Sequence, residues 1–234
     1  MMIAGLQKCT LLDYPNRVAC TVFLPGCNFR CPYCHNFELT QKPEPVMDDE
    51  ALLAFLRGRQ GLLQGVCVTG GEPTLQPQLP RLLERIRALG FSVKLDTNGS
   101  RPEVLRDLLQ AGLVEYVAMD LKSSPGGYAA ACGVVVDCEK ISQSVRLLLD
   151  GQVDYELRTT VAHPLHDVQT IEQMAQWLRK IGKTPVKQLF LQPFVDRETV
   201  PFSGFTAPDE QELRQMQAIL STAAEQVHIR GISI

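Results

Sequence analysis

Residues 26–36 read GCNFRCPYCHN, and Cys27, Cys31 and Cys34 fall there in a C-x3-C-x2-C spacing on one short loop. Thiolates are soft ligands that suit iron–sulfur clusters and zinc. A [4Fe–4S] cube ordinarily takes four protein thiolates, so three would leave one iron open to an outside ligand. An open coordination position marks catalytic rather than structural metal sites. A Cys3His zinc site using His35 is the competing reading. The adjacency of Cys34 and His35 makes closure by both awkward, but a fourth ligand from elsewhere keeps zinc open.

Other segments carry chemistry of their own. TGGEP at 69–73 pairs Gly70 and Gly71, which allow close approach of the backbone, with Glu72, an acceptor for a cationic group. LDTNG (95–99) and MDLK (119–122) each end an apolar run with a carboxylate, Asp96 and Asp120. Two such carboxylates side by side repel unless a cation lies between them. Lys122, two residues beyond Asp120, shares its face on a regular strand and offers that charge. Arg158 interrupts another apolar run, YELRTTV. Cys20 and Cys67 read as core packing, and Cys132 and Cys138 as inert.

These residues need a frame. VACTVFLP (18–25), GVCVTG (65–70), FSVKLDT (91–97), EYVAMDLK (115–122), YELRTTV (155–161) and KQLFLQPF (187–194) read as buried strands. Helical spacing falls between them at 48–58, 77–89, 101–111, 138–150 and 167–181, with Gly90 and Gly112 placed as left-handed caps. Strands alternating with helices imply α/β architecture with a parallel sheet and right-handed crossovers. Ligands then belong at the C-terminal strand ends, where the motifs lie. A helix near 207–224 and a last strand, VHIRGISI, complete the expectation of a single domain over 1–234, its core at about 15–194 and its tail at 205–234.

The chain has 234 residues and a formal net charge of −3 without a long basic run, which argues against nucleic acid as partner. No stretch approaches the ~20 apolar residues that span a bilayer, and the N-terminus lacks a signal-peptide pattern. A cytoplasmic location is expected, with eight cysteines kept reduced rather than paired.

With the aromatic Tyr33 before its last cysteine, the loop resembles the signature of the radical S-adenosylmethionine (SAM) superfamily. Its surroundings, with LLDYPNR at 11–17, are similar to glycyl-radical-enzyme activating enzymes, above all the activating proteins of anaerobic ribonucleoside-triphosphate reductase. The resemblance runs from about residue 5 to Phe194. It implies a partial (β/α)6 TIM-like barrel, an oxidoreductase whose [4Fe–4S] cluster sits on Cys27, Cys31 and Cys34, and SAM on the open iron. It places Tyr33, Gly70, Gly71, Glu72, Asp96, Asp120, Lys122 and Arg158 at SAM, and a monovalent cation against Asp96, Thr97 and Asp120. It implies a glycyl-radical enzyme as protein substrate and a flavodoxin or ferredoxin as reductant. A compact radical SAM enzyme with a small substrate, such as 7-carboxy-7-deazaguanine synthase, is the alternative, and a zinc-stabilised binding module the alternative of another class. One departure stands out. Pyruvate formate-lyase activating enzymes carry a SAM-contacting His after the sixth strand, where this chain reads LFLQPFVD. The contact is therefore missing or made by a residue such as Gln192, with His163 and His166 on an earlier loop not expected to replace it.

Overall fold

The computed structural model describes residues 1–231 other than 42, 152 and 183. The chain is mixed α/β with a central set of parallel strands, as a partial TIM-like (β/α)6 fold requires. It divides into two compact units.

The first unit comprises Met1–Asn28, Glu38–Thr97 and Glu103–Ala118. Met2–Ile3 (β1) and Met47–Asp48 (β4) form a small antiparallel pair, and Gly5–Thr10 (β2) runs antiparallel to Ala19–Leu24 (β3). β3 then pairs in parallel with Gly65–Gly70 (β5), and β5 with Ser92–Thr97 (β6). Buried on both faces, β3 and β5 read as unbroken apolar runs rather than alternating ones. Asp49–Arg57 (α1), Leu79–Ala88 (α2) and Pro102–Gln110 (α3) supply the helices. α2 buries Leu79, Leu82, Leu83 and Ile86 on one side, each contributing about 1.5–3 kcal/mol relative to exposure. Gly90 and Gly112 take φ values of 89° and 63°, ending α2 and α3 as the sequence predicts. Tyr14, from LLDYPNR, lies in a core cluster with Ala19, Tyr116 and Ala118, while Leu11 and Leu12 are exposed.

Tyr116–Asp120 (β7) begins in the first unit, where Glu115 N–H donates to Val93 O at 2.9 Å, and ends in the second. The second unit comprises Phe29–Phe37, Asn98–Pro102 and Met119–Ile234. Leu121 N–H donates to Arg158 O at 2.8 Å, joining the end of β7 to Asp154–Val161 (β8). β8 pairs in parallel with Val186–Pro193 (β9), and β9 with Ala224–Ile229 (β10). Tyr128–Cys132 (α4), Cys138–Asp150 (α5), Val168–Ile181 (α6) and Glu210–Leu220 (α7) are interposed. α7 starts later than predicted because Asp209 caps it, accepting from Glu212 N–H, and it ends earlier, at Leu220. The last strand begins at Ala224, and the end of VHIRGISI, residues 232–234, lies outside the described residues. Among the described residues, β1, β2, β4 and α4 lie outside the predicted elements, as do the short 3-10 helices Phe37–Thr40 and Pro73–Leu75.

Candidate functional site

The first unit ties two motifs together through the main chain. β3 ends at Leu24 and Cys27 follows three residues on; β5 ends at Gly70, where the GGE turn begins. Gly71 N–H donates to Leu24 O at 2.9 Å and Glu72 N–H to Gly26 O at 2.7 Å. Gln76 Nε2 adds a bond to Pro25 O at 2.7 Å. Gly70 has φ 130°, and a Cβ on Gly71 would lie 2.0 Å from Gly26 O. The paired glycines therefore admit the approach of the chain's own Cys27 segment.

Glu72 is fully buried, and its Oε1 accepts from Thr97 Oγ1 at 2.8 Å, Thr74 Oγ1 at 2.5 Å and Thr74 N–H at 3.1 Å. These donors fix the carboxylate's orientation, since a buried charge is tolerated only when hydrogen-bonded. Asp96, on β6 like Thr97, forms an ion pair with Lys94. Lys94 is 2% exposed, with Nζ 5.9 Å from the Tyr116 ring centroid. A strand carries residues two apart on one face, so Lys94 and Asp96 meet by regular geometry. Lys94 was missed as a site candidate, although the signal, a lysine inside the apolar run FSVKLDT, was legible.

In the second unit, Asp120 lies between two cations. Its Oδ2 is 3.0 Å from Lys122 Nζ and its Oδ1 2.9 Å from Arg158 Nε. Burial alone would raise the Asp120 pKa, but Arg158 and Lys122 outweigh it and hold the carboxyl well below the usual range. Burial works likewise against charge on Lys122, and Asp120 outweighs it to keep the ammonium protonated.

Tyr33 is buried, its ring edge-on to His166 at 6.0 Å and to Phe205 at 6.1 Å between centroids. His166 is fully buried. Its Nδ1 accepts from Ala162 N–H at 3.1 Å, so Nε2 carries the proton and donates to Lys122 O at 2.7 Å. His166 thus touches two of the candidate residues, Tyr33 and Lys122. Position in the sequence hid the contact, because His166 follows β8 while Lys122 follows β7. His35 stacks on Phe194 at 5.7 Å and hydrogen-bonds Val195 O at 2.6 Å, shaping the loop.

Cys31 and Cys34 share a turn, with Cys34 N–H donating to Cys31 O at 3.2 Å. The Cys31 thiol is hydrogen-bonded by Cys132, and this with Lys122 outweighs burial to lower its pKa to about 7. Burial pushes the Cys34 thiol upward. Cys132 was expected to be inert, yet it contacts a candidate ligand. Cys20 and Cys67 are fully buried, as core packing requires.

The structure thus groups Cys27, Gly70, Gly71, Glu72, Asp96 and Thr97 in one unit, and Cys31, Tyr33, Cys34, Asp120, Lys122 and Arg158 in the other. The three expected cation ligands divide between the units, and both carboxylates already carry a side-chain cation. Among the described residues, no three His, Cys, Asp or Glu side chains are arranged around a bare metal ion. The donor set itself fits an iron–sulfur cluster: three reduced thiols on eight consecutive residues, one readily ionised. The Tyr33 hydroxyl, buried without a hydrogen-bond partner among the described residues, is a polar group for a bound molecule to satisfy.

Residues 21–181 match the family described as the radical SAM superfamily. A Methanocaldococcus jannaschii protein, provisionally named a glycyl-radical enzyme activating enzyme, is 30% identical over 99% of this chain and 97% of its own length. The 7-carboxy-7-deazaguanine synthase of Thermococcus kodakarensis is 40% identical, over 39% of this chain and 35% of its own. Among solved structures, a domain of a pyruvate-formate lyase-activating enzyme from Bacteroides vulgatus superposes with a TM-score of 0.57 at 25% identity. That match covers 71% of this chain and 99% of the domain.

Proposed function

Because the chain belongs to the radical SAM superfamily, we propose that it activates a glycyl-radical enzyme, of the kind related to anaerobic ribonucleotide reductase. Cys27, Cys31 and Cys34 hold a [4Fe–4S] cluster. Tyr33, Gly70, Gly71, Glu72, Asp96, Asp120, Lys122 and Arg158 bind SAM. When bound, these cofactors would supply reductive cleavage of SAM and abstraction of a glycine Cα hydrogen from the partner.

The chain's own residues do the positioning. Thr74 and Thr97 orient the Glu72 carboxylate, an acceptor for the SAM amino group. Lys122 and Arg158 keep Asp120 ionised at any physiological pH. His166 steadies the Lys122 main chain and the Tyr33 ring. We read residues 1–234 as one radical SAM domain working in an anaerobic cytoplasm, reduced by a flavodoxin or ferredoxin, without nucleic acid or membrane as partner. No helix among the described residues is long and apolar enough to cross a membrane.

The observation that carries this reading is the bond from Glu72 N–H to Gly26 O, which fastens the GGE turn to the residue preceding Cys27. The near full-length likeness to a relative named as an activating enzyme supports the choice of substrate. The zinc-module reading has no support in the family match. The likeness to 7-carboxy-7-deazaguanine synthase favours a small substrate as the second reading, over a much shorter stretch. Mixing the reduced protein and SAM with the glycyl-radical enzymes of its source, under anaerobic conditions, tests the assignment. An electron paramagnetic resonance signal from a glycyl radical is expected. SAM cleavage without that signal on any partner would favour a small substrate.

A further inference from the structure

Cys31 is a cluster ligand under the proposed function, yet its thiol meets a fourth cysteine outside the motif. Cys132 ends α4, and its thiol is hydrogen-bonded to that of Cys31. The two main chains are also joined, Arg30 N–H donating to Cys132 O at 2.8 Å. A disulfide needs its two residues in close approach, and the bond from the residue before Cys31 to Cys132 itself holds the two segments together. Gly133 makes the approach possible. Its φ is 66°, and a Cβ there would lie 2.2 Å from Arg30 O. Neither thiol faces bulk water: Cys31 is 6% exposed and Cys132 fully buried.

We propose that Cys31 and Cys132 are a redox modification site, closing to an intramolecular disulfide when the chain is without its cluster and meets a hydroperoxide. The chemistry balances with hydrogen peroxide as oxidant. The peroxide oxidises the Cys31 thiol to a sulfenic acid and releases one water. The Cys132 thiol then displaces the sulfenic hydroxyl, forming the S–S bond and releasing a second water. Two thiols lose two electrons and two protons, and a dithiol reductant restores them by exchange. Cys31 reacts first because it is the more accessible of the two. The disulfide blocks further oxidation to sulfinic and sulfonic acids, which do not return to thiol under such a reductant. A cluster-ligating cysteine is thereby preserved for reassembly.

The test treats full-length, iron-free protein with hydrogen peroxide, alkylates remaining thiols, and maps peptides without reduction. A crosslink between the peptides carrying Cys31 and Cys132 is expected. A crosslink from Cys31 to Cys27 or Cys34 instead, or sulfinic Cys31 beside alkylated Cys132, would overturn the proposal. Cys132→Ser and Cys132→Ala are treated in parallel, with thermal melts to verify folding. After peroxide and then dithiol, the wild type should regain iron and sulfide, whereas both variants should accumulate over-oxidised Cys31 and stay iron-poor. Equal recovery in all three would also overturn it. The proposal rests on the cluster assignment for the meaning of reassembly alone. Failure of that assignment appears as absent iron in untreated, reconstituted protein, independent of the crosslink map.

Discussion

Thr97 donates its hydroxyl to the buried carboxylate of Glu72 at 2.8 Å, so the end of β6 holds the acidic residue of the turn after β5. Neither residue is oriented by its own strand alone. The pair adds a side-chain link between the ends of two strands already joined along their main chains.

Thr97→Val removes that donor while keeping the side chain's shape. A buried carboxylate losing one partner costs about 1–3 kcal/mol, so the variant should melt lower than wild type. Its SAM affinity should fall further than that of Thr97→Ser, which keeps the hydroxyl. Thermal melts and equilibrium dialysis with labelled SAM read the two effects. Equal affinity in both variants would remove Thr97 from the site.

Lys94 places a buried ammonium on Asp96. SAM affinity should therefore be the same in potassium chloride and in tetramethylammonium chloride, because the carboxylate already has its cation. Lys94→Met should destabilise the fold by about 3–5 kcal/mol, as one-sided loss of a buried ion pair does, and should make SAM binding depend on potassium. A tenfold potassium effect on wild type, about 1.4 kcal/mol, would instead favour a free monovalent cation at Asp96.

Burial holds the His166 imidazole neutral, with its pKa below the ordinary value. The unfolded chain takes up a proton near pH ~6.5, whereas the folded chain does so only at lower pH. Stability from this residue is thus present above about pH 6.5 and lost as pH falls below it. Denaturant titrations across that range should show a slope that His166→Asn flattens by about one proton. An unchanged slope would mean that His166 is not buried neutral.

Cys27→Ala, Cys31→Ala and Cys34→Ala should each lose iron and SAM cleavage, whereas Cys138→Ala should keep both. Cys138 opens α5 and lies outside the C-x3-C-x2-C loop, its Sγ 3.9 Å from Pro125 O and 4.0 Å from Val136 O. Iron and sulfide analysis of anaerobically reconstituted protein decides the point. Normal content in any of the first three would sink the ligand assignment.

Much of this was legible in the amino-acid order. The six predicted strands were readable because apolar runs such as GVCVTG are bounded by turn residues, and the motifs stand at their ends. β2 escaped because GLQKCT is largely exposed and shows no apolar pattern. α4 escaped because five residues cannot display a helical period. At the site, Lys94 could have been found from its spacing to Asp96. His166 and Cys132 could not. Their roles depend on partners 44 and about 100 positions away (His166 on Lys122, Cys132 on Cys31), brought close only by the folded chain.

The clasp between Gly71 and Gly26 bears on transplantation of this chemistry. A cysteine loop lifted onto another scaffold would arrive without the carbonyl-filled space that excludes every side chain at position 71. A graft of the loop therefore needs Gly70–Gln76 with it, because those residues bond the carbonyls of Leu24, Pro25 and Gly26 just ahead of Cys27.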